Sequence, residues 1–497
     1  MTRAFYSLLM WLAQPFLRAR LRQRGVAEPG YRVAIGERFG RYTDDSAGLP
    51  EAVTPGGFVW VHAVSLGESA AAGLLIAELR RRQADVRLLL THGTATGRAE
   101  GARLLCDGDM QVWAPWDSPG AVRRFLAHFK PRIGILMETE VWPNMAAACQ
   151  RLSIPLVLAN ARLSEKSLAS AQRLAWLARP AYQSLAAVWA QSQDDGRRLA
   201  ALGANVQGVF GNLKFDAMPD ATLLARGQDW ARGVTRPVVV FASSREGEEA
   251  VFLKILEKKM AVAVVGTAYT AINIDENEKS ALVGHGQADG PPDDRQRHHT
   301  VHPAGQVQWL IVPRHPQRFD AVAALIVAHG FRVSRRSQWG DAPPPSVSPA
   351  GLPPAGADHE ALPPTLWLGD SLGEMALYYG LADVALLGGS FEALGGQNLI
   401  EAAACGCPVI MGPHTFNFAE AARLSVQAGA AVRVGTMDQA VTLANDLVSG
   451  RVSFPAAEPV NDSAELQTMR AATARFTAAH RGALEKTVEA LMRLLRG

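Results

Sequence analysis

From Gly57 onward one pattern repeats along the chain: a short unbroken apolar run, a turn, then a stretch of helical periodicity. A strand with one wet face alternates apolar and polar residues, whereas an unbroken run fits a parallel strand covered by helices on both faces. The runs fall at Phe58–Ala63, Val86–Leu90, Gln111–Ala114, Ile133–Met137, Pro155–Ala159, Ala187–Ala190 and Val206–Phe210. A polar stretch follows Asp216 and ends near Pro237. The alternation then restarts at Val238–Ala242, Trp309–Pro313, Phe331–Ser334, Leu366–Gly369, Val384–Leu387, Val409–Met411 and Ala431–Val434. This predicts an α/β protein of two doubly wound, Rossmann-like domains, residues 40–216 and 237–497, joined by a linker at 217–236. The 497 residues suffice for two such cores. Ligands of these sheets collect at the carboxyl ends of the strands, so a central cleft faced by both domains is the expected site.

Two segments interrupt the second half. Asn273–Gly305 has weak apolar periodicity, and Asp341–Pro364 is proline-rich, so both read as insertions outside the sheet. His298, His299 and His302 lie in the first of these with no fixed acidic or cysteine partner, and no metal site is expected there. Cys106, Cys149, Cys405 and Cys407 are too scattered for a disulfide framework, which suits a reducing compartment.

At the other end, Phe5–Leu17 is apolar and is followed by Arg18, Arg20, Arg22 and Arg24, with no acidic residue before Glu28. The run is shorter than the ~20 residues that span a bilayer, Pro15 interrupts it, and the charge follows the apolar part, the reverse of a cleaved signal peptide. Residues 1–25 are therefore expected to attach the protein to the cytoplasmic face of a membrane; the alternative is an ordinary helix packed on the first domain. Fifty basic residues against forty-seven acidic ones leave a formal charge of +3, which supplies no global field for nucleic acid.

Chemistry-bearing residues cluster just past the strands. The first strand runs into Ser65-Leu66-Gly67-Glu68, and the fourth into Glu138-Thr139-Glu140. Acids delivered by two strands to one edge are what a general base of raised pKa is built from, although Glu68 is equally placed to cap its helix. In the second half, Arg314 follows a strand and suits a phosphate. Gly388-Gly389-Ser390 and Gly395-Gly396 precede Asn398-Leu399-Ile400-Glu401 at a helix start. Glycine amides there can hold an anion, and Glu401 can accept from ribose hydroxyls.

These blocks resemble the 3-deoxy-D-manno-octulosonic acid (Kdo) transferases of lipopolysaccharide assembly, which have the GT-B fold. The resemblance rests on Ser65–Glu68, Met137–Asn144, Gly211–Asp216, Pro313–His315, Leu372–Met375, Asn398–Glu401 and Met411–Phe418, in that order. It implies that Glu68 is the catalytic base and that Glu138 and Lys214 stabilise the transition state. It assigns the CMP of the donor to Pro313, Arg314, Leu372, Gly373, Glu374, Asn398, Leu399, Ile400 and Glu401. One departure is Ser243-Ser244-Arg245-Glu246-Gly247-Glu248, where the family usually has a histidine after the hydroxyl residue.

The implied function is inverting transfer of Kdo from CMP-Kdo to a hydroxyl of a lipid A precursor at the cytoplasmic face of the cell inner membrane. Lys214, Arg314 and the helix start at Asn398 would offset charge on the departing CMP, with no cofactor and no metal. Two rivals stand beside it: a GT-B nucleotide-sugar epimerase, and a non-catalytic membrane-bound glycolipid or nucleotide-sugar binding protein. The epimerase has no use for a membrane anchor, and the binding protein has none for paired strand-end acids.

Overall fold

A computed structural model of the protein describes residues 3–42, 57–260, 307–341, 363–449 and 464–496. Every apolar run named above is a strand. The first seven are β1 (Val59–His62), β2 (Leu88–His92), β3 (Met110–Trp113), β4 (Ile133–Met137), β5 (Leu156–Ala161), β6 (Ala187–Ala190) and β7 (Val206–Val209). They form one parallel sheet in the order β3-β2-β1-β4-β5-β6-β7. Residues of β1, β2, β4 and β5 are buried throughout, as two-sided coverage requires. On one face Trp60, Leu89 and Leu136 pack with Val122, Phe125 and Phe129 of the helix Pro119–Phe129. On the other, Val59, Val61, Leu88 and Ile135 meet Leu75, Ile76 and Leu79 of the helix Leu66–Arg82.

The second sheet contains β8 (Val238–Ser244), β9 (Gln308–Pro313), β10 (Arg332–Arg335), β11 (Thr365–Leu368), β12 (Val384–Leu387), β13 (Val409–Met411) and β14 (Ala431–Arg433). Its order is β10-β11-β9-β8-β12-β13-β14, again all parallel. Phe252, Leu253 and Leu256 of a helix over 248–260 pack with Phe241 and Trp309, while Ala440, Val441 and Ala444 close the same cluster from the helix Met437–Val448.

The chain divides into one unit of Met1–Ala217 with His480–Gly497 and a second of Met218–Ala479. Two local differences from the sequence reading follow. The stretch 217–236, expected as a linker, contains the helix Ala221–Gly233, capped by Asp220, whose carboxylate accepts from the N–H groups of Thr222 and Leu223 at 2.9 and 3.0 Å. It packs against the helix Met375–Leu381 of the second unit. The chain's last helix, Ala483–Arg496, returns to the first unit and buries Val488 and Leu491 beside Val59 and Leu88. Asp216 fixes that return by accepting from the N–H groups of Gly482 (2.6 Å) and Leu484 (2.8 Å).

The N-terminal apolar run is broken at Ala13 into helices Arg3–Leu12 and Gln14–Ala27, with Pro15 in the first turn of the second. Ser7 Oγ donates to Asn144 Oδ1 at 3.0 Å, and Tyr6 hydrogen-bonds Asp117, so the first helix is docked by one face. No helix among the described residues is long and apolar enough to cross a membrane. The expected insertions at about 273–305 and 341–364, with His298, His299 and His302, lie outside the described residues apart from Asp341, Pro363 and Pro364.

Helix 221–233 approaches its neighbour through glycine. A Cβ on Gly227 would lie 2.2 Å from the carbonyl oxygen of Leu377. Helix propensity favours Gly→Ala by about 1 kcal/mol, but a contact this short with fixed backbone forces the helices apart. Gly227→Ala should therefore lower the thermal unfolding midpoint, and a raised midpoint would show that propensity prevails.

Candidate active site

In doubly wound sheets, ligands bind where the strand order reverses, and in the first unit this point lies between β1 and β4. The loops leaving these strands carry Glu68 and Glu138. Ser65 caps the helix Leu66–Arg82: its Oγ accepts from the Glu68 N–H at 3.4 Å and donates to Glu68 Oε1 at 3.1 Å. Glu68 Oε2 accepts from the Val64 N–H at 2.8 Å. Glu68 thus closes a capping arrangement while remaining half-buried at the mouth of the sheet. Burial pushes its pKa up to about 7. The nearby charges of Glu138 and Glu140 add to the rise, and the hydrogen bonds from Val64 and Ser65 oppose it. The two strand-end acids predicted from sequence are therefore electrostatic neighbours.

Glu138 is buried and held in a left-handed conformation, φ 60°. Its Oε1 receives Lys214 Nζ at 2.9 Å and its Oε2 receives Arg162 Nε at 2.9 Å. Its backbone is pinned as well: the Glu138 N–H donates to Ala159 O, and the Arg162 N–H donates to Glu138 O, both at 3.0 Å. Such a backbone costs on the order of 1–3 kcal/mol and persists because these contacts over-determine it. Asn160 has the same left-handed geometry, φ 51°, and its Oδ1 accepts from the Leu213 N–H at 3.0 Å, drawing the Lys214 turn toward β5.

Sequence reasoning passed over Arg162 and Asn160. Both sit at the end of β5, and the rule that singled out Glu68 and Glu138, polar residues just past a buried strand, would have found Arg162. Glu140 accepts from Trp142 Nε1 at 2.6 Å, and burial raises its pKa.

In the second unit the order reverses between β8 and β12. Arg314, past β9, and Glu401, in the short helix Leu399–Ala404, come close enough for the cation to pull the Glu401 pKa down, while the protein packed around that carboxyl raises it on balance. Pro313 is buried at the end of β9 and Leu372 is exposed. Gly373 has φ 81°, and Glu374 is held by Arg336 (2.8 Å) and Ser371 (2.5 Å). Leu399 and Ile400 have buried side chains, and the Ile400 N–H is taken by the Asn398 side chain at 3.2 Å.

The glycine turn after β12 differs from the sequence reading. The Gly389 and Phe391 N–H groups donate to Glu248 at 2.7 and 3.2 Å, so an internal carboxylate fills the place read as an anion site. A Cβ on Gly388 would lie 2.3 Å from Ser243 O. That glycine serves a close approach of two loops. Arg245 lies near enough to His315 to help lower that residue's pKa, after burial and alongside Arg314. Among the described residues no group of three His, Cys, Asp or Glu side chains is placed to hold a metal ion.

The sequence model of the 3-Deoxy-D-manno-octulosonic-acid transferase (kdotransferase) family matches residues 34–217. The chain is 43% identical over 439 residues to 3-deoxy-D-manno-octulosonic acid transferase of Bordetella pertussis, covering 87% of this chain and 86% of that one. It is 29% identical over 447 residues to the protein of the same name from Haemophilus influenzae, covering 89% of each. Among solved structures it resembles the UDP-GlcNAc 2-epimerase of Neisseria meningitidis bound to UDP-GlcNAc, with TM-score 0.50, 14% identity, and coverage of 88% of this chain and 99% of that one. At that identity the likeness concerns the fold alone.

The Glu138 cluster gives a prediction independent of any reaction. Lys214→Met leaves a buried carboxylate with Arg162, whose side chain is 49% exposed, as its remaining ion-pair partner among the described residues. It should cost about 1–3 kcal/mol of stability, and Glu138→Gln in the same chain should recover part of that loss. Urea unfolding of the two single variants and the double variant checks this, and strictly additive losses would refute the coupling.

Proposed function

The chain belongs to the 3-deoxy-D-manno-octulosonic acid (Kdo) transferases, and from that premise we propose how its residues divide the work. It is a glycosyltransferase that transfers Kdo in lipopolysaccharide biosynthesis. In this reading CMP-Kdo is the donor and a hydroxyl of a lipid A precursor the acceptor. Glu68 takes the proton from that hydroxyl as its oxygen bonds to the anomeric carbon of Kdo, and the bond from that carbon to the CMP phosphate oxygen breaks. Attack from the opposite face inverts the anomeric centre, and Glu68 then returns its proton to water.

The observation that carries the reading is Glu68 itself. A carboxyl with a pKa of about 7 is a stronger base than an ordinary one yet is still about half ionised at neutrality. Glu138 keeps the Lys214 ammonium at the same edge, where a fixed cation stabilises developing negative charge. In the second unit Arg314 meets the phosphate and Glu401 the ribose hydroxyls. Pro313, Leu372, Gly373, Glu374 and Asn398 contact the rest of the nucleotide, with Leu399 and Ile400, whose side chains are buried, fixing the helix start from which Asn398 and Glu401 reach it. A monophosphate leaving group can be neutralised by such side chains, so transfer is expected without a divalent ion. The relatives favour this reading over an epimerase, whose likeness to this chain is one of fold.

The reading also places the protein on a membrane. The face of the N-terminal helices turned away from the domain exposes Phe5, Leu8, Leu9, Trp11, Leu12 and Phe16, and Arg18, Arg20, Arg22 and Arg24 follow. Each large apolar side chain buried in lipid contributes ~1.5–3 kcal/mol, and each arginine near an anionic surface ~1 kcal/mol. Their sum exceeds the ~8 kcal/mol of a micromolar affinity even after ordering costs.

Incubating the purified protein with CMP-Kdo and lipid A precursor should yield lipid heavier by whole Kdo units in a mass spectrum, and an unchanged lipid mass would reject the reading. Glu68→Gln should lower turnover ~10²-fold or more while leaving CMP affinity unchanged, whereas near-normal turnover would remove Glu68 from the mechanism. For the membrane contact, Trp11 is 64% and Phe16 68% exposed, so replacing both with Glu should spare the fold. The double variant should stay in the supernatant of anionic vesicles that pellet the wild type, and pelleting at high salt would point to another surface.

A further inference from the structure

At the point where the strand order of the second unit reverses, between β8 and β12, the side chain that leaves β8 is Arg245. The backbone before it is irregular. Ser243 is left-handed, φ 56°, and the pairing of β8 with β9 slips there, from Ala242 opposite Val312 to Ser244 opposite Pro313. A bulge of this kind re-aims the side chains that follow it. The new course is then locked, because Glu248 accepts from the N–H groups of Arg245 (3.0 Å), Gly389 (2.7 Å) and Phe391 (3.2 Å). The turns after β8 and β12 thus share one carboxylate. The Arg245 stem lies along the second turn, where a Cβ on Gly389 would stand 3.6 Å from Arg245 Cγ. Arg245 is half-buried there with its Nε shielded from solvent, so its guanidinium is held at the reversal point instead of ranging through water.

A second arginine stands beside it. The Arg314 N–H donates to Ser244 O at 3.0 Å, so Arg245 and Arg314 leave neighbouring parallel strands, ~4.8 Å apart, side by side. Among the described residues neither forms an ion pair. Glu246 and Glu249 are taken by Arg318, each at 3.1 Å, and Glu248 is taken by backbone N–H groups. Glu246 and Glu401 act on the two arginines only from a distance. The local balance is positive: after burial, Arg245 and Arg314 are the strongest influences holding the His315 pKa down, against a weaker pull from Glu246. Two cations fixed side by side repel each other, and a ligand with two anionic groups close together removes that repulsion. The Kdo donor is such a ligand. Kdo is an ulosonic acid, so its anomeric carbon carries a carboxylate as well as the bond to the CMP phosphate. A neutral sugar nucleotide offers no anion on the sugar, whereas the planar fork of arginine matches a carboxylate.

We propose that Arg245 binds the carboxylate of the donor sugar while Arg314 meets the phosphate, which makes Arg245 the residue that selects an acid sugar over a neutral one. The inference deepens the Kdo-transfer reading and rests on it for the identity of the anion. Without acceptor no transfer occurs, so calorimetric titration of the full chain in detergent reads the donor alone. Arg245→Gln should weaken CMP-Kdo binding ~10-fold or more and leave CMP binding unchanged, and Arg245→Lys, which keeps the charge, should lose less. Unchanged CMP-Kdo affinity in a folded Arg245→Gln protein would overturn the proposal. Equal losses for CMP and CMP-Kdo would also overturn it, because Arg245 would then be a phosphate contact. Should Arg245→Gln fail to fold, the wild type decides: free Kdo should displace CMP-Kdo at a concentration ~10-fold or more below that needed of its uncharged methyl ester, and equal potencies would overturn the proposal. A wild type that binds in the expected way yet transfers no Kdo to lipid A precursor would uphold the subsite and reject the reading of the reaction. Transfer by a protein whose CMP-Kdo affinity ignores Arg245→Gln would do the reverse.

Discussion

One buried carboxylate holds the carboxyl edge of the first unit's sheet together. Glu138 lies past β4, and its two oxygens bind a lysine delivered beyond β7 and an arginine delivered beyond β5. Leaving a lone charge in this position would cost several kcal/mol, so the three loops are obliged to meet. The left-handed backbones of Glu138 and Asn160 are tolerated for the same reason. Asp216, two residues past Lys214, receives the first N–H groups of the chain's last helix, which anchors the lysine turn from behind. The position of Lys214 therefore depends on residues separated from it by most of the second unit.

That rigid edge is the background against which Glu68 is tuned. A carboxylate on a helix N-terminus normally has a low pKa, and the hydrogen bonds from Val64 and Ser65 pull in that direction. Burial and the neighbouring negative charges of Glu138 and Glu140 prevail. Capping and the proposed role as a base, alternatives when read from sequence, are compatible in this geometry because the cap orients the carboxylate that burial then makes more basic. In the second unit the opposite device appears: Glu248 turns a glycine-rich turn inward and satisfies its amides internally, while Arg314 and Glu401 come close to one another past the strands.

The sheets were legible in the sequence because parallel strands covered on both faces must be apolar without interruption, and little else in a soluble chain is. Glu68, Glu138 and Arg314 were legible for a related reason, since a polar residue just past such a strand has few places to go but the carboxyl edge. Arg162 stands where the same rule looks, past β5, but its partner Glu138 is not readable from the rule, and Glu248 was not legible at all, because its role is set by Gly389 and Phe391 far along the chain. The helix Ala221–Gly233 was hidden by its polarity, although Asp220 before an alanine- and leucine-bearing stretch is an N-cap signal. The return of the final helix to the first unit rests on Asp216 and on apolar burial that no local pattern specifies.

The central claim is that Glu68 works as a base because the fold raises its pKa, and the pH dependence of kcat/KM tests it most directly. A base must be unprotonated in the free enzyme, so activity should be full above the folded pKa and fall as pH drops through it. With that pKa at about 7, Kdo transfer should lose half its kcat/KM near neutrality and decline tenfold per unit below. A kcat/KM that stays level down to about pH 5, where only an ordinary carboxylate would begin to protonate, would contradict the account.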